Sequence, residues 1–386
     1  MHDFIYENQT RIYFGKNAMD YLGEELDKYG ENVLLVYGKN AIKATGIYDS
    51  VMKILKERGK NVTELAGINP NPRYTQVLAG AEAVRKNDID LILAVGGGSV
   101  IDCSKAISVA AYAEGDPWER FWEKEEDVTE KIVPVASVLT MTGTASEMNS
   151  GSVITNEEKK LKMGRVFPSF VNPQFSVLNP EFTYTVPKRQ MLSGIFDIMS
   201  HLMEQYFNGT DDNICDYLIE GLMKGVIASA KAAVKNPLDY NARANIMWGS
   251  TMALNKIIAT SKEQDWEVHA IEHQLGAYTD CPHGEGLAVI SLAYYRYIYR
   301  YCPERFVRFA KNVWGVDVDG MTVEEACEAG IASMESFVKE MGMPVRLRDL
   351  GATEEMLEDI AASTENGGGY KYMEKEDILA VLKNCY

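Results

Sequence analysis

The segment Ile89-Asp90-Leu91-Ile92-Leu93-Ala94-Val95-Gly96-Gly97-Gly98-Ser99-Val100-Ile101-Asp102 decides the fold class. Its first half is an apolar run with a single charge, the pattern of a strand buried on both faces. Three glycines then turn the chain into a stretch of helical character. The same grammar stands upstream. Asn32-Val33-Leu34-Leu35-Val36-Tyr37 reads as a buried strand ending at Gly38, while Ile47 to Glu57 and Thr75 to Lys86 carry apolar residues at helical spacing. Strands that alternate with helices imply a parallel, doubly wound sheet. Downstream, Lys131-Ile132-Val133-Pro134-Val135 opens a further strand, the Thr-, Ser- and Gly-rich stretch from Thr140 to Ser150 signals a loop, and sheet character persists through Phe175-Ser176-Val177-Leu178.

After Asn179-Pro180 and Thr185-Val186-Pro187 the texture changes to long amphipathic segments of helix-forming residues, with Gly367-Gly368-Gly369 marking a late loop. The chain of 386 residues exceeds the size at which one core usually stops growing. The expected organisation is therefore an α/β domain over residues 1–185 and an all-helical domain over residues 186–386, with a cleft between them as the first place to look for a site. With 39 basic against 56 acidic residues, the formal net charge is -17. Nucleic acid and acidic membrane surfaces both need basic patches, so a small neutral substrate is expected instead. The start, Met1 to Asn8, has neither a basic leader nor an apolar core, and no stretch is long and apolar enough for a bilayer span. Six cysteines scattered without CxxC pairs fit reduced thiols, and the expected location is the cytoplasm.

Two constellations carry chemistry. The first is Gly96-Gly97-Gly98-Ser99-Val100-Ile101-Asp102, where glycines allow close backbone approach and the helix start offers open N–H groups suited to a pyrophosphate. Its spacing differs from GxGxxG, and by itself the turn reads equally well as a plain strand-to-helix connection with Asp102 favoured by the helix dipole. The second is stronger. Of five histidines, His269, His273 and His283 fall within fifteen residues, and His201 follows Asp197 by four, which puts both on one helix face. His269 and His273 share a face for the same reason. Asp197 lies among Phe196, Ile198 and Met199, and a buried carboxylate needs a partner. A divalent ion supplies one, and a carboxylate with imidazoles and no sulfur suits Fe(II), Zn, Co or Ni.

On these residues the sequence resembles the iron-containing alcohol dehydrogenase family, in its branch of NAD(P)H-dependent butanol dehydrogenases and aldehyde reductases. The resemblance runs from Thr10-Arg11-Ile12-Tyr13-Phe14-Gly15 through Asn69-Pro70-Asn71-Pro72 and Gly96 to Asp102 to the closing Glu376-Asp377-Ile378-Leu379. It implies a dinucleotide-binding α/β domain followed by a helical metal-binding domain, the architecture shared with dehydroquinate synthase. Carried over position by position, it makes Asp197, His201, His269 and His283 the ligands of one divalent metal, Fe(II) first and Zn(II) second, and makes His273 a histidine that lines the site without binding the ion. It assigns Gly97, Gly98, Ser99 and Asp102 to the pyrophosphate turn, and Asn71, Thr140, Thr142, Thr144 and Lys162 to the cofactor's surroundings. A homodimer is also implied. Two positions depart from the pattern: Asn179-Pro180 replaces a common Asp-Pro, and Lys39-Asn40 replaces small residues.

Cofactor preference follows from charge. NAD enzymes place a carboxylate after an early strand to bind the ribose hydroxyls, and that carboxylate repels a 2′-phosphate. Here Gly38-Lys39-Asn40-Ala41-Ile42-Lys43 follows the strand, with two lysines and no acid, so NADP(H) is favoured over NAD(H) and Gly38, Lys39 and Asn40 join the expected cofactor site. The expected reaction is hydride transfer between this cofactor and a small primary alcohol or aldehyde such as butanol or butanal, with His273 relaying the proton. The competing reading is a metal-dependent lyase or cyclase of the dehydroquinate synthase type. That chemistry needs several Lys and Arg side chains for an anionic substrate, whereas the segments flanking the expected ligands are apolar or acidic.

Overall fold

A computed structural model describes residues 2–209, 213–365 and 367–386. They form two compact units, one spanning Glu7–Val186 and the other containing Pro187–Tyr386 together with the segment that ends at Tyr6. The residues at the start of the chain thus leave the α/β unit to which 1–185 was assigned, because the backbone N–H of His2 donates to Ser261 Oγ in the helical unit.

The α/β unit contains β1 (Arg11–Phe14), β2 (Asn32–Tyr37), β3 (Asn61–Leu65), β4 (Leu91–Gly96), β5 (Val135–Leu139), β6 (Gly151–Asn156), β7 (Leu161–Val166) and β8 (Phe175–Leu178). Six of them make one parallel sheet in the order β1-β8-β5-β4-β2-β3. Successive side chains along β2 and β4 point to opposite faces. Val33, Leu35, Leu91, Leu93 and Val95 pack with Leu22, Leu26, Val51 and Leu55 in one core cluster. The helices Tyr74–Lys86 and Gly98–Ala110 pack on each other, and the second packs on β4 and β5. The sheet is therefore doubly wound.

Two details differ from the sequence reading. The strand expected from Lys131 begins only at Val135, since Pro134 lacks an N–H and enters the sheet as an acceptor, its carbonyl taking the N–H of Ile92 at 2.9 Å. The hairpin β6–β7 is antiparallel and stands outside the main sheet. Its turn residues Glu157 to Lys160 carry no Gly or Asn-Gly signal, which is why periodicity alone passes over it.

In the helical unit, Lys188–Tyr206 and His283–Ile298 cross in contact. At the crossing, Gly284 N–H donates to Ser193 Oγ at 3.0 Å, and a Cβ built on Gly284 would stand 1.8 Å from the Ser193 carbonyl oxygen. Only hydrogen at that position lets the two backbones meet. Arg189 then clamps the same end with a two-pronged pair to the buried Glu285, at 2.5 and 2.6 Å. Elsewhere the unit is closed by an aromatic knot, Phe207 stacked on Phe306 with ring centroids 4.2 Å apart and Phe309 and Tyr295 edging in. Among the described residues no helix is long and apolar enough to cross a membrane, and none of the six cysteines is in a disulfide.

Gly284→Ala should destabilise the helical unit by about 3 kcal/mol, the upper end for forced overpacking, because the clash is with backbone rather than a movable side chain. A thermal melt followed by helical circular dichroism checks this. An unchanged midpoint would show that the helices separate at little cost.

Candidate metal centre and dinucleotide turns

The helix Lys188–Tyr206 starts after Pro187 and is buried almost continuously from Met191 onward. Asp197, His201 and Glu204 lie on its one inward stripe. The helix Glu267–Thr279 brings His269 and His273, ends at Asp280 in the left-handed region (φ 53°), and is followed by Cys281-Pro282 before the helix His283–Ile298 begins at His283. That tight reversal returns His283 to the two histidines it left: its ring centroid is 5.1 Å from that of His269 and 5.7 Å from that of His273.

The four residues expected as ligands converge on one oxygen. Asp197 Oδ1 is 3.5 Å from His201 Nε2, 3.6 Å from His269 Nε2 and 3.6 Å from His283 Nε2. Asp197, His269 and His283 each bring a donor atom within 4.8 Å of the others. Donors on a four-coordinate ion with bonds of about 2.0–2.2 Å stand about 3.3–3.6 Å apart, so the carboxylate-to-imidazole spacings fit a single divalent ion. Two further observations agree with such an ion. Asp197 Oδ1 and His269 Nε2 are buried with no hydrogen-bond partner among the described residues, a costly arrangement unless something charged lies between them. Burial opposes the charge on Asp197, yet His201, His269 and His283 hold its carboxyl below the usual range. Burial likewise works against a proton on His269, and Glu204 and Asp197 outweigh it and raise the group. A field that holds an extra proton on an imidazole is one that attracts a cation.

The sequence reading passed over two carboxylates that complete this cluster. Glu204, fully buried, accepts from His269 Nδ1, from the His269 backbone N–H at 3.2 Å and from Ser200 Oγ at 2.9 Å. Glu272, also fully buried, accepts from His283 Nδ1. Their signal was available as helical spacing, Glu204 three residues after His201 and Glu272 three after His269, but nothing local says that each serves a histidine on a different helix. His273 is half-buried beside His269, with ring centroids 6.1 Å apart, and also forms a group with Glu272 and His283.

In the α/β unit, β2 lies between β3 and β4, so the chain reverses its direction of winding between β2 and β4. Ligands in open α/β sheets bind beyond the strand ends at such a switch point. Tyr37 is level with Val95, and Gly96 with Leu139. Hence Gly38, the turn Gly97-Gly98-Ser99 and the loop from Thr140 stand side by side at the carboxyl ends of β2, β4 and β5. The helix Gly98–Ala110 has no side-chain cap at its start. A Cβ at Gly98 would lie 2.2 Å from Thr144 Oγ1, and one at Gly97 3.1 Å from Met141 Cβ, so glycine at both positions lets the facing loop lie against the turn. Ser99 Oγ donates to the carbonyl of Pro70, which ties in the segment holding the buried Asn71. Thr140, Thr142 and Thr144 are half-buried on the facing loop, and Lys162 is buried on β7 opposite Thr155. Lys39 and Asn40 are exposed.

Two residues are placed otherwise than expected. Asp102 does not look out of the turn: it is buried, one oxygen accepts from Ser146 Oγ and the other from the Val153 N–H at 3.0 Å, with Lys105 Nζ 3.6 Å away. It pins the Thr140 to Ser150 loop, because a carboxylate this deep must be satisfied by the protein around it. Lys43, expected with Lys39 at the phosphate, lies over the rings of Tyr37 and Tyr48 at 5.1 and 4.6 Å, and both tyrosines donate to Glu64.

Comparison with known proteins places this arrangement in one family. The model of iron-containing alcohol dehydrogenases matches residues 9–180, and that of the C-terminal part of the Fe-containing alcohol dehydrogenase family matches 191–386. The chain therefore belongs to the iron-containing alcohol dehydrogenase family. It is 41% identical to the NADH-dependent butanol dehydrogenase A of Clostridium acetobutylicum over 100% of both chains. To the NADPH-dependent aldehyde reductase YqhD of Escherichia coli it is 34% identical, over 100% of this chain and 99% of that one. The crystal structure of an NADH-dependent butanol dehydrogenase A from Thermotoga maritima superposes with a TM-score of 0.95 at 36% identity, covering 100% of this chain and 99% of the other.

Replacing Asp197, His201 or His283 with Ala should each abolish tight metal binding while leaving NADPH affinity within about twofold, since the two sets of residues belong to different units. Metal content by elemental analysis and a fluorescence titration with NADPH report the two halves. Full metal occupancy in two of the three variants would disprove the ligand set.

Proposed function

We propose that this protein acts mainly as an aldehyde reductase, and in reverse as an alcohol dehydrogenase, on small primary alcohols and aldehydes such as butanol and butanal, with NADP(H) preferred to NAD(H). The observation that carries the reading is the convergence of three imidazole nitrogens on Asp197 Oδ1. When bound, the metal would supply Lewis-acid polarisation of the substrate oxygen and the nicotinamide ring the hydride.

The chain's own residues do the rest. Gly97, Gly98 and Ser99 would hold the pyrophosphate with backbone N–H groups at an uncapped helix start. Asp197 and His269, nearly closed to solvent, make the buried floor of the site, and the His283 side chain, 24% exposed, is its open side. His273 stands on that open side, half-buried, and relays the proton between the substrate oxygen and water. Glu204, Asp265, Glu267 and Glu272 crowd the same region, and all are buried. Burial raises the Asp265 and Glu267 carboxyls to about 7. It is therefore Glu204 and Glu272, against His269 and His283, that give the setting its acidic character, which suits a neutral substrate better than the anionic one a dehydroquinate synthase-type lyase would require. Family membership supports a homodimer, which light scattering would test.

The preference for NADP(H) rests on Gly38, which brings no carboxylate to the ribose, and on the exposed Lys39. Lys43 contributes less than charge counting suggests, being held over Tyr37 and Tyr48. NADPH should therefore exceed NADH in kcat/KM with butanal by several-fold to about tenfold, and Gly38→Asp should reverse the order by opposing the 2′-phosphate. Equal efficiencies in the wild type, or a Lys39→Ala variant that discriminates as well, would overturn the preference.

His273→Ala should retain its metal and lose rate, with an altered pH profile of kcat. Loss of the metal as complete as in His269→Ala would make His273 a ligand instead.

A further inference from the structure

Each of the three helices that meet at the metal centre reaches across to the next. The helix Lys188–Tyr206 sends Glu204 to His269 on the helix Glu267–Thr279. That helix sends Glu272 to His283 on the helix His283–Ile298. The third helix closes the ring through the Gly284 N–H, which donates to Ser193 on the first. In both histidines it is Nδ1 that meets the carboxylate, while Nε2 points to Asp197.

We propose that Glu204 and Glu272 are positioning residues for the metal: each holds its histidine in the Nδ1–H tautomer, so that Nε2 presents a lone pair to the ion. The inference deepens, and rests on, the assignment of Asp197, His201, His269 and His283 as ligands. Its chemistry is direct. An ionised carboxylate accepts only, so the ring nitrogen facing it must carry the hydrogen, and in a neutral imidazole the other nitrogen is then bare. The carboxylate also fixes the ring plane and increases the donor strength of the bare nitrogen. Burial strengthens both effects, since neither Glu204 nor Glu272 is exposed to water. Glu204 is the more constrained of the two. It binds the backbone N–H of His269 as well as the ring, so it fixes the residue's main chain and side chain together.

The test uses the full-length protein stripped of metal and titrated with Co(II) against a competing chelator, with d–d absorption recorded at saturation. Glu204→Leu and Glu272→Leu should each lower Co(II) affinity by about 10- to 100-fold and change the visible bands, the range seen when such partners are removed. Glu204→Gln and Glu272→Gln keep an acceptor oxygen, so they should recover most of the affinity and the wild-type spectrum. A purely structural role predicts otherwise, with a lower melting temperature but unchanged affinity and spectrum in the folded Leu variants, and that result would overturn the proposal. Should the Leu variants fail to fold, nitrogen NMR of the histidines in the zinc-loaded wild type decides: protons on Nδ1 of His269 and His283 support it, and protons on Nε2 overturn it. A wild type that takes up no Co(II) would sink the ligand assignment itself and this inference with it, whereas tight wild-type binding with indifferent Leu variants removes only the inference.

Discussion

The backbone contact between Ser193 and Gly284 is the constraint on which the candidate metal centre depends. With the Ser193 carbonyl oxygen 1.8 Å from where a Cβ would stand, residue 284 can only be glycine if the helices keep this approach. The consequence is geometric. Asp197 stands one turn beyond Ser193 on one helix, and His283 immediately precedes Gly284 on the other, so fixing the crossing fixes the carboxylate-to-imidazole distance. Glu285 follows on the same turn and is gripped by Arg189, which adds a charged latch at the end of the crossing where solvent enters.

Around this contact the centre is made of groups that are costly alone and compatible together. A buried carboxylate and three imidazoles, with two more carboxylates behind them, would be unfavourable as an unpaired collection. Each charge here has a specific role: Asp197 faces three ring nitrogens, and Glu204 and Glu272 each face one ring from behind. The same economy appears in the α/β unit. Asp102, Ser146 and Lys105 form a buried set that ties the Thr140 to Ser150 loop to the helix after the glycine turn. Burial pulls the Lys105 ammonium down to about 8 against the opposing pull of Asp102 and Glu147. The loop's position beside Gly98 is therefore fixed by polar pairing beneath it as well as by the close approach of Thr144.

Much of the fold was legible because its signals are local. The strand Asn32–Tyr37 and the helix Ile47–Glu57 stand where continuous apolarity and helical spacing put them, and Phe175–Leu178 is a strand as read. Asp197 and His201 were recognisable because four residues on a helix are one turn, whatever the helix packs against. The strand after Lys131 was misplaced because one proline outweighed the apolar run around it, and the β6–β7 hairpin was missed because its turn lacks the residues that usually announce one.

By itself the sequence determined where many of the strands and helices lie, that three glycines follow a buried strand, and that an acid and four of the five histidines lie in two short stretches of the chain, Asp197 to His201 and His269 to His283. These properties depend on neighbours within a few residues, and the periodicity of the backbone is enough to read them. Tertiary structure alone decided that Asp102 and Lys43 face protein partners, and that Glu204 and Glu272 each stand behind a histidine on another helix. These pairings join residues 11 to 65 positions apart, or depend on what is packed over the side chain. No spacing rule encodes them, because the direction of a buried polar group is set by whichever partner the packed core brings within reach.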